Sequence, residues 1–430
     1  MAGCARSRRS FRSGRVAESA EEKDDVTTSE EILQEPYRQE PRPRTRRRRV
    51  LLAVASAVLV VVAVVAVWLK TGADGYYVLS PGQAPLVTAS GECRPVGGGD
   101  FSTSSGQPCV QLVVPADRSH PVDGQILMVD VYQGKPTPWQ YLLYKLHLLK
   151  RFGNHAVLLP NAAIVGNGTA SQVSCQDAQQ AVEATSAAPV AALRQLGYQV
   201  KENDLGAQVD TVLAGSAAAA AGLRCDDLIT GVNGLPVHSA ADVGKALSGL
   251  RPGTTIHVTV TRNDGKSDRT VPITARLGSL PALGGAPADP NKGFLGIETE
   301  TRITYDLPIP LQAQVGSIGG PSDGLALALG FIDTLGGGHL TGGLKVAATG
   351  QIEPDGSVVE IGGAAQKAVA VRQAGAQVFL VPPGNYKEAK SAAGNVKVFA
   401  VASLSQALRD LESLGGQVPP PVSSTTTVPK

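Results

Sequence analysis

Histidine is scarce in this chain, and its scarcity removes whole classes of chemistry. Six histidines occur in 430 residues, and no Cys/His cluster has zinc-like spacing, so neither a structural metal nor any other cofactor is expected. No Gly-x-x-x-x-Gly-Lys-Ser/Thr stretch occurs either, which excludes an ATPase motor built on that loop. Aromatic residues make up only 4% of the chain against 49 glycines, a composition that suits small, tightly turned α/β units. The formal net charge of +2 carries no overall basic bias, so nucleic acid is not expected as a partner.

The positive charge is local instead. Residues 1–49 mix arginines with acidic runs and with Pro36, Pro41 and Pro43, and they lack apolar periodicity, so this tail should be disordered. Val50 to Leu69 then contains no charged residue and is long enough to cross a bilayer as one helix. Arg44 and Arg46 to Arg49 stand directly before it. The positive-inside rule therefore leaves the N-terminus in the cytoplasm and the rest of the chain outside, as a single-pass protein of the cell membrane. The long leading segment favours a retained anchor over a cleaved signal peptide. Of five cysteines, Cys4 falls inside, and Cys93, Cys109, Cys175 and Cys225 lie where disulfides persist. Cys93 and Cys109 bracket a Gly/Ser-rich loop they could close; Cys175 and Cys225 would then form the second pair.

The chemistry centres on Gly316 to Gly324 and the apolar run Leu325 to Leu335. Glycines and Pro321 ahead of Ser322, with helix formers after it, predict a turn that delivers the serine to a helix N-terminus. Unpaired amides and the helix dipole favour an oxyanion there, although a serine in that place also serves as a plain N-cap. Gly320-Pro321-Ser322-Asp323-Gly324 matches the nucleophile elbow of an α/β-hydrolase, which needs an acid and a histidine further on. His339 is the only histidine after Ser322, and it follows too closely for that role. The remaining base downstream is Lys367, at the start of a second helical pattern, Ala364 to Ala374.

These residues resemble the Lon-type serine peptidases, which use a Ser/Lys dyad. Gly319-Gly320-Pro321-Ser322 is similar to the nucleophile motif, Ala348-Thr349-Gly350-Gln351-Ile352 to the following strand, and Ile361-Gly362-Gly363 through Lys367 to the lysine motif. Ala374 to Pro382 and Asn385 extend the likeness. It implies Ser322 as nucleophile, Lys367 as base and Thr349 as the residue that positions the lysine. One departure stands beside the serine. The position after it is usually small, and Asp323 occupies it, so a charged Asp323–Lys367 pair would leave an inert adaptor instead of an enzyme.

Gln199 to Leu277 resembles a bacterial PDZ domain, on Gly215-Ser216-Ala217-Ala218, Ala221-Gly222-Leu223 and Asp227 to Gly234. The resemblance implies capture of peptide termini by strand addition, with the carboxylate loop expected at Leu196, Gly197, Tyr198 and Gln199. The chain is thus expected to be an α+β multidomain protein: tail 1–49, transmembrane helix 50–69, a small α/β membrane-proximal region 70–196, PDZ domain 197–278, linker 279–291, Lon-type proteolytic domain 292–415 and a disordered tail 416–430. Strands are expected at Val110 to Val114 and Ile126 to Val131, and helices at Trp139 to Leu149 and from Ser174 to Leu196 with a break near Pro189. The implied protein is an extracytoplasmic, ATP-independent endopeptidase for polypeptide substrates. Ring assembly in the wider family allows a homo-oligomer.

Overall fold

The computed structural model describes residues 44–422 except 90–92, 98–99, 150–154, 166–169, 264–266, 284 and 317–319. Most of the expected N-terminal tail, residues 1–43, lies outside the described residues. Residues 44–49, assigned to that tail from composition, are helical, because the helix Arg44–Ala73 starts in the arginine run. Its stretch Arg47–Ala73 is long and apolar enough to span a membrane.

Seven strands form the central sheet. Their order is Gln312–Gln314, Cys109–Val113, Leu86–Thr88, Gln125–Leu127, Lys345–Ala348, Val378–Val381 and Lys397–Ala400. The last three run parallel to one another and to Gln125–Leu127, and the strands are short and apolar on both faces. Alternation along them sends Val346, Ala348, Val378 and Leu380 to one core and Ala347, Phe379 and Val381 to the other. The first core is closed by the helices Ala170–Gln195, Gly324–Leu335 and Leu404–Ser413, and the second by Ala364–Gln373 and Tyr386–Ala392.

The segment 70–196, set apart by composition as membrane-proximal, is therefore not separate from the central sheet. Three of its strands pair into that sheet, and its helix Ala170–Gln195 buries Ala188, Ala191 and Leu193 in the core shared with Leu325 and Phe331. That helix continues through Pro189. The expected strand at 126–131 is two strands in two sheets, Gln125–Leu127 and Val131–Gly134. Only the remainder of the segment makes a small unit of its own, in which strands Val131–Gly134, Tyr76–Pro81 and Val157–Pro160 pack with helix Pro138–Lys145. Tyr141 sits at its centre, buried against Tyr76 and Trp68.

A second sheet orders Asp268–Arg276, Thr255–Asn263, Leu228–Val232, Lys201–Val212 and Ile297–Asp306. Ile256, Val258, Val260, Val209 and Val243 form its core, with Val243 coming from helix Ala240–Leu247. The edge strand Ile297–Asp306 follows the supposed linker and pairs along most of its length with Lys201–Val212. The linker itself folds back as the hairpin Gly278–Leu280 with Asp289–Phe294. Residues 416–422, expected to be disordered, pack on the body: the amides of Gly416, Gln417 and Val422 donate to Leu411, His339 and Leu196.

Candidate active site

Gly320 takes φ +100° and Pro321 opens a single 3-10 turn, Pro321–Asp323, that runs into the helix Gly324–Leu335. A positive φ is strained for any residue with a Cβ, which explains the glycine before the proline. Gly324 follows because a Cβ there would meet the Ile352 backbone nitrogen at 2.9 Å. Across the turn, the Ser322 carbonyl accepts from the Gly350 amide at 2.8 Å and from Thr349 Oγ1 at 3.0 Å, and the Leu325 amide donates to Gly350. The strand end at Thr349-Gly350 is thereby stitched to the serine turn. The Gly324 amide is taken by the Pro321 carbonyl.

Lys367 arrives from the other face of the sheet. Its helix, Ala364–Gln373, begins after Gly363 in the left-handed region at φ +70°, where a side chain would be strained. Asn385 braces the turn before it, accepting from the Ile361 amide and donating to the Ile361 carbonyl. Gln366 fastens the same helix to the His155 carbonyl. Lys367 is 1% exposed, and its amine lies 2.7 Å from Ser322 Oγ, 2.6 Å from the Val129 carbonyl and 3.2 Å from Thr349 Oγ1.

These contacts fix where protons can go. The Val129 carbonyl only accepts, and Thr349 Oγ1, which gives its proton to the Ser322 carbonyl, accepts from the amine. The amine donates to Ser322 Oγ as well, and the Ser322 hydroxyl donates to Asp323 Oδ1. Burial drives the lysine pKa below its ordinary value, with the charges of Asp323 and Asp130 pulling the other way. Asp323 is buried too, which raises its carboxyl to about 6 against the opposing Lys367 cation, while Asp130 pushes it up further. No ion pair within 4.0 Å joins Lys367 to Asp323 among the described residues. Asp323 Oδ1 instead faces Ser322 Oγ at 3.3 Å.

Both expected cysteine pairs are bonded, Cys93 to Cys109 and Cys175 to Cys225. The second ties the long helix to the sheet that carries helix Ala240–Leu247.

Leu196, Gly197, Tyr198 and Gln199 are not a carboxylate loop. They cap the helix Ala170–Gln195: the amides of Leu196, Gly197 and Tyr198 donate to Ala192, Arg194 and Leu193, Leu196 is buried in the catalytic core, and its carbonyl holds Val422. Sequence reasoning missed the better site. Phe294-Leu295-Gly296-Ile297 leads directly into the edge strand, with the Leu295 and Gly296 carbonyls accepting from Ala218 and Leu213. In planar trans peptides the following amides, of Gly296 and Ile297, then point the opposite way, toward the open edge. Helix Ala240–Leu247 flanks that edge strand, its Ala240 amide donating to Thr301 Oγ1 at 3.1 Å. The signal was this short Leu-Gly-Ile run, hidden because it stands after the sheet's other strands in the chain.

Comparison with known proteins agrees with this division. The PDZ domain family matches residues 195–273, and the Lon protease (S16) C-terminal proteolytic domain family matches residues 295–410. A probable periplasmic serine endoprotease, DegP-like, of Rhizobium meliloti is 35% identical over 99 residues, 22% of this chain and 19% of that protein. The Lon protease of Haemophilus influenzae is 31% identical over 118 residues, 26% of this chain and 14% of that protein. That of Neorickettsia sennetsu is 32% identical over 93 residues, 21% of this chain and 11% of that protein. The chain spans less than a fifth of the length of these relatives. It contains a PDZ domain and a Lon-type proteolytic domain.

Proposed function

We propose that the chain is a membrane-anchored, extracytoplasmic serine endopeptidase that works without ATP and uses its PDZ domain to hold peptide termini. The observation that carries this reading is the buried Lys367 amine at 2.7 Å from Ser322 Oγ. Neutral Lys367 takes the Ser322 proton as the oxygen attacks a peptide carbonyl, and returns it to the leaving amine. Backbone N–H groups around Ser322 would stabilise the oxyanion. Thr349 keeps the amine aimed. Placement outside the cytoplasm is supported by the arginines before the apolar helix and by two disulfides beyond it. At the PDZ domain, a peptide would add as a strand along Ile297–Asp306, its carboxylate against the amides of Gly296 and Ile297.

An adaptor with an inert site would need Asp323 to hold Lys367 charged, and the missing ion pair speaks against it. The test is hydrolysis of unfolded casein by the detergent-solubilised chain. Ser322→Ala and Lys367→Ala should each lower turnover by on the order of a thousandfold or more, the range expected for losing a nucleophile or its base. Full activity in either variant would end the proposal.

A further inference from the structure

A cavity of about 270 Å³ opens beside the dyad. Two of its lining residues place it there: Asp130 directly follows Val129, whose carbonyl holds the Lys367 amine, and Val315 leads into the turn that carries Ser322. Resting on the peptidase reading above, we propose that this cavity is a substrate subsite for an arginine or lysine side chain flanking the scissile bond, and that Asp130 is the residue that selects it. The cavity has the two parts such a side chain needs. Pro85, Val96 and Phe101 offer apolar surface to an aliphatic stem, and Asp130 offers a carboxylate to the cationic tip. No lysine, arginine or histidine stands among the described residues that line it. Val96 and Phe101 belong to the paired strands Arg94–Gly97 and Asp100–Ser102, and the Cys93–Cys109 bond ties that hairpin to the central sheet. A cavity of about 150 Å³ admits a benzene ring, so this one has room for a single long side chain.

The surroundings of Asp130 hold it ready for a cation. Its Oδ1 accepts from the Gln83 amide, and no other hydrogen bond reaches its carboxylate among the described residues. That close approach needs Gly82, where a Cβ would run into the same oxygen. A carboxylate fixed through one oxygen has the other left for a guanidinium or an ammonium. The ionisable groups around it are Lys367 and Asp323 at the dyad and Asp100 across the cavity. Burial raises the Asp130 carboxyl above its ordinary value, whereas the Gln83 amide and the Lys367 charge favour its anion. A substrate cation would join that second group. It would also offset the pull with which Asp130 favours a charged Lys367, so binding of the preferred side chain helps the lysine become a neutral base.

The test uses the full chain in detergent and a peptide series that carries arginine, or its neutral counterpart citrulline, in turn at each position beside the cleaved bond. Both peptide ends are blocked, so that the PDZ domain is not engaged. At one position the arginine peptide should be hydrolysed with a kcat/KM about tenfold or more above its citrulline twin, as a charge-assisted bond in a half-buried site allows. Asp130→Asn keeps an oxygen for the Gln83 amide and removes the charge, and should bring the twins to within about twofold of each other. Both twins meet the same dyad, so any general change in Lys367 cancels in that ratio. Equal hydrolysis of the twins by wild type at every position, or a preference that survives in Asp130→Asn, would overturn the proposal. The wild-type comparison stands even where the variant fails to fold. Binding of the same peptides to Ser322→Ala, followed by fluorescence anisotropy, separates this inference from the peptidase reading. A wild type that hydrolyses nothing, while Ser322→Ala still prefers arginine, sinks the peptidase and keeps the subsite, whereas an active chain indifferent to the charge does the reverse. An inactive chain without the preference ends both.

Discussion

Thr349 stands at the crossing of two hydrogen bonds, giving its proton to the Ser322 carbonyl and accepting from Lys367. It is wholly buried, so water cannot replace either bond. Thr349→Val keeps the shape and removes both. Losing a hydrogen bond in a buried network costs about 1–3 kcal/mol, which at the transition state corresponds to roughly a tenfold to hundredfold fall in kcat. Steady-state hydrolysis of a fluorogenic peptide should show that fall with little change in KM. Equal kcat would mean that the lysine needs no such guide. Ser322, Thr349 and Lys367 could be expected together because their motifs resemble those of the Lon-type peptidases, and the glycines of those motifs, Gly320, Gly350 and Gly363, take the positive φ values that their turns need. The contact between Asp323 and the serine hydroxyl was not legible, because adjacency in sequence does not tell which way a side chain turns at a helix start.

At the scale of elements, the junction between the helix Ala170–Gln195 and the PDZ sheet is held by a disulfide and flanked by half-buried carboxyls. Cys175 to Cys225 closes a loop with a sequence separation of 50. In the chain-entropy model such a closure stabilises by about 4 kcal/mol, so Cys175→Ser should lower the unfolding temperature clearly, and reductant should do to wild type what the mutation does. Beside it, burial and the facing Glu300 raise Glu183 to about 8, while burial raises Asp210 to about 7, with Arg302 opposing on Glu183. Both carboxyls bind protons more tightly folded than unfolded. Their contribution is complete below the unfolded carboxyl values near 4 and has been lost once pH has climbed through about 7 to 8. Thermal stability should therefore fall between about pH 4 and pH 8 and level off above it, and Glu183→Gln should flatten that decline; an identical decline in the variant would place its cause elsewhere. Some elements were legible and some were not, for a physical reason. The helices Gly324–Leu335 and Ala364–Gln373 carry their own start signals, whereas the pairing of Gln125–Leu127 with Leu86–Thr88 on one side and Lys345–Ala348 on the other is a long-range register that short apolar strands do not encode locally. The hairpin at 278–294 looked like a linker because its Pro/Gly content suits a turn as well as a tether.

For the whole molecule, the catalytic sheet is assembled from chain on both sides of the PDZ domain, so the segment matched by the Lon-type family is not self-sufficient. A fragment of residues 292–415 would lose three central strands and the helix that covers Leu325 and Phe331, and should remain unfolded by circular dichroism and amide exchange. A fragment of residues 74–422 should fold. A cooperative, native-like 292–415 fragment would contradict the interleaved sheet. The central claim, that this assembly makes Ser322 a nucleophile through a neutral Lys367, is tested most directly by covalent labelling. The full chain, treated with a fluorophosphonate and mapped by mass spectrometry, should carry the adduct on Ser322, with a labelling rate that rises with pH as Lys367 loses its proton, and Lys367→Ala should abolish the adduct. A chain that labels elsewhere, or that labels Ser322 equally well without Lys367, would contradict the account.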